Sequence, residues 1–207
     1  MSVSRLTRRS SLLLPLAFAA CGAPDQTTYD PLRWDYLPPI QLNVLTVDFE
    51  QRFVPSGGGD LTPQAPVRPA DALKTMGEDR LRPFGNAGRA VMAIQDATLV
   101  RRDGAIVASM AVTVSLYRET GERGGFIEAR VARRETGGSG SMRAQLYQLV
   151  KSMMEQMNVE LEFQIRRNLK EFLVEATAAP TAVEQAPLSA PKGTPLAPPS
   201  GGTLQRP

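Results

Sequence analysis

The 207-residue chain contains no histidine and a single cysteine. Without histidine it lacks the usual general base near neutral pH and the commonest metal ligand. One cysteine excludes an internal disulfide framework and any cysteine-rich zinc site. Lysine is confined to Lys74, Lys151, Lys170 and Lys192. Ser56, Ser109 and Ser115 have no His partner, and a Ser–Lys arrangement is their one formal route to acyl transfer. The apolar run from Leu12 to Ala20 is too short to span a bilayer core about 30 Å thick. What remains is a globular composition, 42% hydrophobic and 22% charged, at a length suited to one domain with tails. The expectation is a protein with no metal, no cofactor and no catalytic residue.

Residues 1–20 read as an export signal. Arg5, Arg8 and Arg9 make a positive start, the short apolar run follows, and Ala19-Ala20 precede Cys21. This segment resembles a bacterial lipoprotein signal peptide, although Phe18 stands where that family usually has Leu. The resemblance implies that Cys21 is lipidated and becomes the new N-terminus. Its sulfur would then be a thioether, not a nucleophile. Gly22 in place of Asp implies the outer membrane, by the sorting rule of Gram-negative lipoproteins. Thr7 to Leu12 also resembles a twin-arginine signal without its usual Phe, so the export route stays open. Removing residues 1–20 takes away three Arg and no acid, leaving 21 basic against 21 acidic residues. A nucleic-acid-binding protein would keep a basic excess, so none is expected as a partner.

Residues 21–36 read as a tether, and residues 37–174 as a single α+β domain. A strand is predicted over 40–53, with Ile40, Leu42 and Val44 on one face and Leu45, Val47, Phe49 and Phe53 on the other. That pattern fits a central strand or a bulge that switches the face. Gly57 to Gly59 and four prolines make 54–69 a connector. A short helix is predicted over 70–81, begun by Pro69 and ended by Pro83. Strands follow over 90–100, 106–117 and 126–134, the middle one alternating without interruption from Ile106 to Leu116. Asp103-Gly104 and the glycines at 121, 124 and 125 mark the turns. A long helix is predicted from Ser141 to about Val174, roughly 50 Å, with Leu146, Leu149, Val150, Met153, Met157 and Leu161 as its apolar stripe. It would cover a thirteen-residue hairpin of roughly 43 Å and project beyond it. Residues 175–207, rich in Pro, Ala and Gly, read as a disordered tail.

The order β-α-β-β-β-α predicts a parallel pair joined by a right-handed crossover, then an antiparallel meander. The result is a four-stranded mixed sheet with two helices on one face. This order, with a lipidated Cys, resembles small bacterial envelope lipoproteins. The nearest groups are the lipopolysaccharide-assembly lipoprotein and the auxiliary lipoproteins of lipid-transporting ABC systems. The architectural resemblance covers residues 21–174, and Ala19-Ala20-Cys21 alone is carried by named residues. It implies a non-enzymatic accessory or assembly factor, held on the periplasmic face of the outer membrane by its lipid and working with an envelope protein complex. A periplasmic lipid- or glycan-binding module without such a complex is the alternative.

Several constellations bear on these readings. Asp48 and Glu50 share a strand face, as paired acids of a glycoside hydrolase could, but two acids near a strand end are usually solvated. Asp96 in an apolar strand marks a bulge or an exposed face. Arg101 and Arg102, at a sheet end, could meet phosphorylated headgroups. Arg133-Arg134 and Arg166-Arg167 are further Arg pairs, and Glu162 and Arg166 offer a surface pair at i,i+4. Val159 and Phe163 fall opposite the apolar stripe of the long helix, where they could contact a partner. Met153, Met154 and Met157 read as core filler. The candidate contact residues are therefore Val159, Phe163, Arg101 and Arg102, with Cys21 as the lipid site.

Overall fold

The computed structural model describes residues 27–54 and 58–174. The expected signal peptide, Cys21, residues 22–26, Ser56, Gly57 and the tail over 175–207 lie outside the described residues. The elements are β1 (Ile40–Leu42), β2 (Thr46–Gln51), α1 (Pro69–Arg80), β3 (Leu81–Pro83), β4 (Arg89–Arg102), β5 (Ala105–Tyr117), β6 (Arg123–Glu135) and α2 (Met142–Asn168). The main sheet has the order β2-β4-β5-β6. β2 and β4 are parallel, whereas β4, β5 and β6 are antiparallel neighbours. This is the expected α+β fold with a four-stranded mixed sheet and two helices.

The predicted strand over 40–53 is two strands. Ile40, Leu42 and Val44 are buried, Leu45 is exposed, and Val47 and Phe49 then pack on the core. The break at 43–45 changes which parity faces inward, which is why both faces looked apolar. β1 leaves the main sheet and pairs in parallel with β3, forming a small second sheet absent from the prediction. Three residues on either side of a helix carry too little pattern to signal a strand pair.

Pro69 opens α1 where its missing N–H needs no partner. Leu73 and Met76 enter the core beneath it. A Cβ on Gly77 would lie 2.5 Å from Met92 Sδ and 2.7 Å from Phe49 Cε1. Glycine thus lets α1 settle directly onto β2 and β4. Asp103 and Gly104 join β4 to β5 with φ of 51° and 73°, the paired left-handed conformation of a two-residue hairpin turn. The ladder between β4 and β5 shifts register between Ile94 and Asp96, so Asp96 does mark a bulge.

Ser141 caps α2, its hydroxyl accepting the Ala144 N–H at 3.3 Å. Leu146, Leu149, Val150, Met153, Met157 and Leu161 are buried as the stripe predicts, joined by Met154 and Ile165. They share one core with Leu73 and Met76 of α1 and with Met110, Val112, Val114 and Leu116 of β5, so both helices cover the same sheet face. α2 packs chiefly along β6. It stops at Asn168, short of the predicted Val174. A continued helix would carry Leu169 about 140° from Leu146, off the apolar stripe. Instead Leu169 leaves the helix and is buried against Gly125. The chain then makes a 3-10 turn at Lys170–Phe172 and bridges back, Leu173 to Leu42. At about 40 Å the helix matches the hairpin and does not project beyond it.

The packed chain also begins before residue 37. Trp34, inside the expected tether, is 4% exposed and belongs to the core. The expectation of an unpacked segment up to residue 36 is corrected for its second half, because the sole Trp has apolar area worth burying.

Candidate functional site

The proposed contact residues fall into two groups, which the fold sets far apart. Arg101 and Arg102 end β4 beside the hairpin turn, and both are exposed. Arg101 Nη2 lies 3.5 Å from Met142 Sδ at the start of α2. Next along that helix, the Arg143 guanidinium sits 5.8 Å from the Tyr29 ring, which is 4.9 Å from the Tyr147 ring. Val159 and Phe163 lie farther along α2, 68% and 50% exposed. Residues 142 and 163 are separated by about 32 Å of helix. Arg101 and Arg102 therefore cannot share one compact site with Phe163.

At the end of the domain where α2 finishes, arginines lie over aromatic rings on more than one face, Phe163 on the outer side of α2 and Phe126 on the sheet face away from the helices. The Arg167 guanidinium lies 5.8 Å from the Phe163 ring, Arg123 lies 5.2 Å from the exposed Phe126, and Arg118 lies 5.6 Å from Phe172. Leu45 and Phe84 project from the same end, where Phe84 N–H donates to the Leu42 carbonyl and Leu45 N–H to those of Ala87 and Gly88. Arginine stacked on exposed aromatic rings is the composition enriched at protein contacts. Sequence pattern pointed to Val159 and Phe163. It missed Leu45, Phe84 and Phe126, which lie in a break, a loop and an edge strand.

The remaining constellations are engaged structurally. Asp48 and Glu50 point to the sheet face away from the helices, with Arg89 3.9 Å from Asp48 and Arg52 2.7 Å from Glu50. Each carboxylate thus has its own arginine on an open surface. Asp96 accepts hydrogen bonds from the hydroxyls of Thr98 and Ser109 and from the Thr98 N–H. Arg133 turns to the helix side and donates to Ser152 Oγ at 2.9 Å. Arg134 lies 3.9 Å from Asp103, and Arg166 reaches Glu162 at 2.8 Å. Among the described residues no group of three or more acids and cysteines could hold a metal ion. None of their helices is long and apolar enough to cross a membrane.

A buried polar corner went unread in the sequence. Asp79 and Arg80 end α1 and are 6% and 2% exposed. Asp79 accepts from Arg33 at 2.9 and 3.0 Å and from the Trp34 N–H at 2.9 Å. Arg80 donates to the Pro38 carbonyl and to the Glu162 carboxylate of α2. This corner fastens the incoming chain and both helices together. Its signal was Arg80 itself, seven residues after Leu73 on the apolar stripe of α1.

The space between α2 and the sheet is filled by side chains at most 1% exposed, from Leu146 to Ile165. Hollows occur at the surface. A cleft of about 390 Å³ is lined by Tyr29, Leu32, Ala65, Val67, Arg68 and Asp71. A second of about 310 Å³ is lined by Phe53, Asp60, Thr62, Arg68, Asp71 and Ala97.

No protein-family model matches this chain, and no curated protein matches it. Among solved structures it is similar to a protein from Caulobacter crescentus CB15 described as a lipoprotein, at 14% identity and a TM-score of 0.33, over 58% of this chain and 85% of that one. It is similar to lipoprotein GNA1162 from Neisseria meningitidis at 11% identity and a TM-score of 0.28, over 57% of this chain and 97% of that one. It is also similar to a minor lipoprotein from Acinetobacter baumannii at 14% identity and a TM-score of 0.26, over 61% of this chain and 96% of that one.

Proposed function

We propose that this chain is a non-enzymatic envelope lipoprotein. Its Cys21 carries the lipid, its α+β domain stands in the periplasm at the outer membrane, and it serves as an accessory or assembly factor of a transport complex for lipid or lipopolysaccharide. The observation that carries the anchor is Ala19-Ala20-Cys21 behind an arginine-led apolar run. The partner role draws support from Val159 and Phe163, exposed together on the outer side of α2 with the Arg167 guanidinium 5.8 Å from the Phe163 ring. The alternative, a lipid- or glycan-binding module without a complex, would need a chamber between helix and sheet. The filled core weighs against it.

The test is mild-detergent co-purification from native membranes with fatty-acid labelling. Wild type should carry label and bring down an envelope barrel or ABC-transport subunit in stoichiometric amount. Cys21→Ala should lose the label, and Val159→Ser/Phe163→Ser should keep the label and lose the subunit. Recovery of labelled wild type with bound lipid or glycan and no subunit would shift the reading to the binding module. Wild type without label would remove the lipoprotein reading.

A further inference from the structure

We infer that the end of the domain built from the start of α2 and the β4–β5 turn lies against phospholipid headgroups, with the Arg-stacked aromatic end held away from the bilayer. This rests on lipid attachment at Cys21. Thr27, the first described residue, is six residues beyond Cys21. Six residues reach about 20 Å at full extension. The chain is then held at once. Tyr29 packs on Tyr147 and beneath Arg143, and the Tyr147 hydroxyl donates to the Asp30 carbonyl at 3.1 Å. The anchor therefore joins the domain at the first two turns of α2, and that end cannot drift far from the membrane.

The chemistry of this end fits the surface it would meet. Arg68, Arg101, Arg102 and Arg143 have no ion-pair partner among the described residues. Asp103 lies 3.9 Å from Arg134, whereas Asp30, Asp60 and Asp71 have no ion-pair partner among the described residues and trim the positive charge of this end, Asp60 while accepting the Thr62 N–H. Guanidinium forks match phosphate oxygens, and tyrosines favour the water–membrane interface. From Tyr147 to Leu169 the domain extends about 33 Å. Leu45, Phe84, Phe126 and Phe163 are therefore kept out of headgroup reach. The tether keeps this end near the bilayer, and the arginines orient it there.

The chain's one cysteine would be consumed by lipid, so an engineered cysteine can be labelled alone. Lipidated Gln148→Cys and Phe84→Cys proteins, carrying a fluorophore, would be reconstituted in phosphatidylglycerol/phosphatidylethanolamine vesicles containing a headgroup-level nitroxide quencher. Quenching at position 148 should exceed that at 84 by about threefold or more. Arg101→Glu/Arg102→Glu/Arg143→Glu, or 0.5 M salt, should bring the ratio toward one, because surface electrostatics are then reversed or screened. A ratio of one or below in protein whose Cys21 lipid is verified by mass overturns the orientation and leaves the anchor standing. A ratio unchanged by the triple reversal overturns the role given to the arginines. Absence of lipid on Cys21 overturns the anchor and this inference with it.

Discussion

Removing the Glu162 carboxylate is the sharpest test of how the domain is fastened. Glu162→Ala leaves the Arg80 guanidinium, 2% exposed, with the Pro38 carbonyl as its remaining acceptor. Breaking a fully buried pair by deleting one partner costs about 3–5 kcal/mol. Glu162 is 32% exposed, so water can reach part of the vacated site, and about 2 kcal/mol is expected. The surface pair between Glu162 and Arg166 is lost as well, worth about 0.5 kcal/mol at most, and Arg166→Ala measures it separately. For a domain of this size the change corresponds to a fall in Tm of about 4–8 °C. Urea unfolding followed by Trp34 fluorescence is the direct assay, since Trp34 is the sole tryptophan and its backbone N–H donates to Asp79 beside Arg80. The double variant Arg80→Met/Glu162→Met removes both charges and should cost less than Glu162→Ala. A loss below about 0.5 kcal/mol for Glu162→Ala, or a double variant worse than the sum of its singles, would refute this account.

Trp34→Ala should cost about 3–5 kcal/mol in urea titration, because a core side chain is removed from a segment that composition alone made look like linker. Gly77→Ala should destabilise by about 1–3 kcal/mol, read by thermal melting, as its methyl drives Met92 and Phe49 apart. Val159→Ser/Phe163→Ser should shift stability by no more than about 0.5 kcal/mol per site, which separates a contact role from a packing role in the co-purification. Asp48→Ala/Glu50→Ala should likewise melt within a few degrees of wild type, each acid being a solvated surface partner of one arginine.

The main sheet was legible because β5 alternates from Ile106 to Leu116 and two glycine-marked turns bracket it. The α2 stripe was legible at 3.6-residue spacing from Leu146 to Leu161. β1 and β3 were not, because three-residue strands have no period to detect and are defined by pairing across α1. The helix end was misplaced because Leu169 is apolar and helix-compatible, and its departure is decided by Gly125 across the core. The separation of the contact groups follows from the length of α2, and it could have been read by asking where each residue falls along that rod. The Asp79–Arg80 corner was hidden by the rule that charges lie on surfaces, which fails where buried charges find partners on other segments, here the incoming chain and α2.

The seating of α2 on β6 has a consequence for crowding. β6 is an outer strand of thirteen residues, with one side of its backbone turned away from β5, and such rims invite sheets to fuse. Two fused rims stand about 4.8 Å apart, whereas two helices need about 8–10 Å between their axes. A second copy approaching rim to rim with its helix on the same face would bring its own α2 into collision before the backbones could meet, so on that side the rim is open only to a slender strand with no helix on its back.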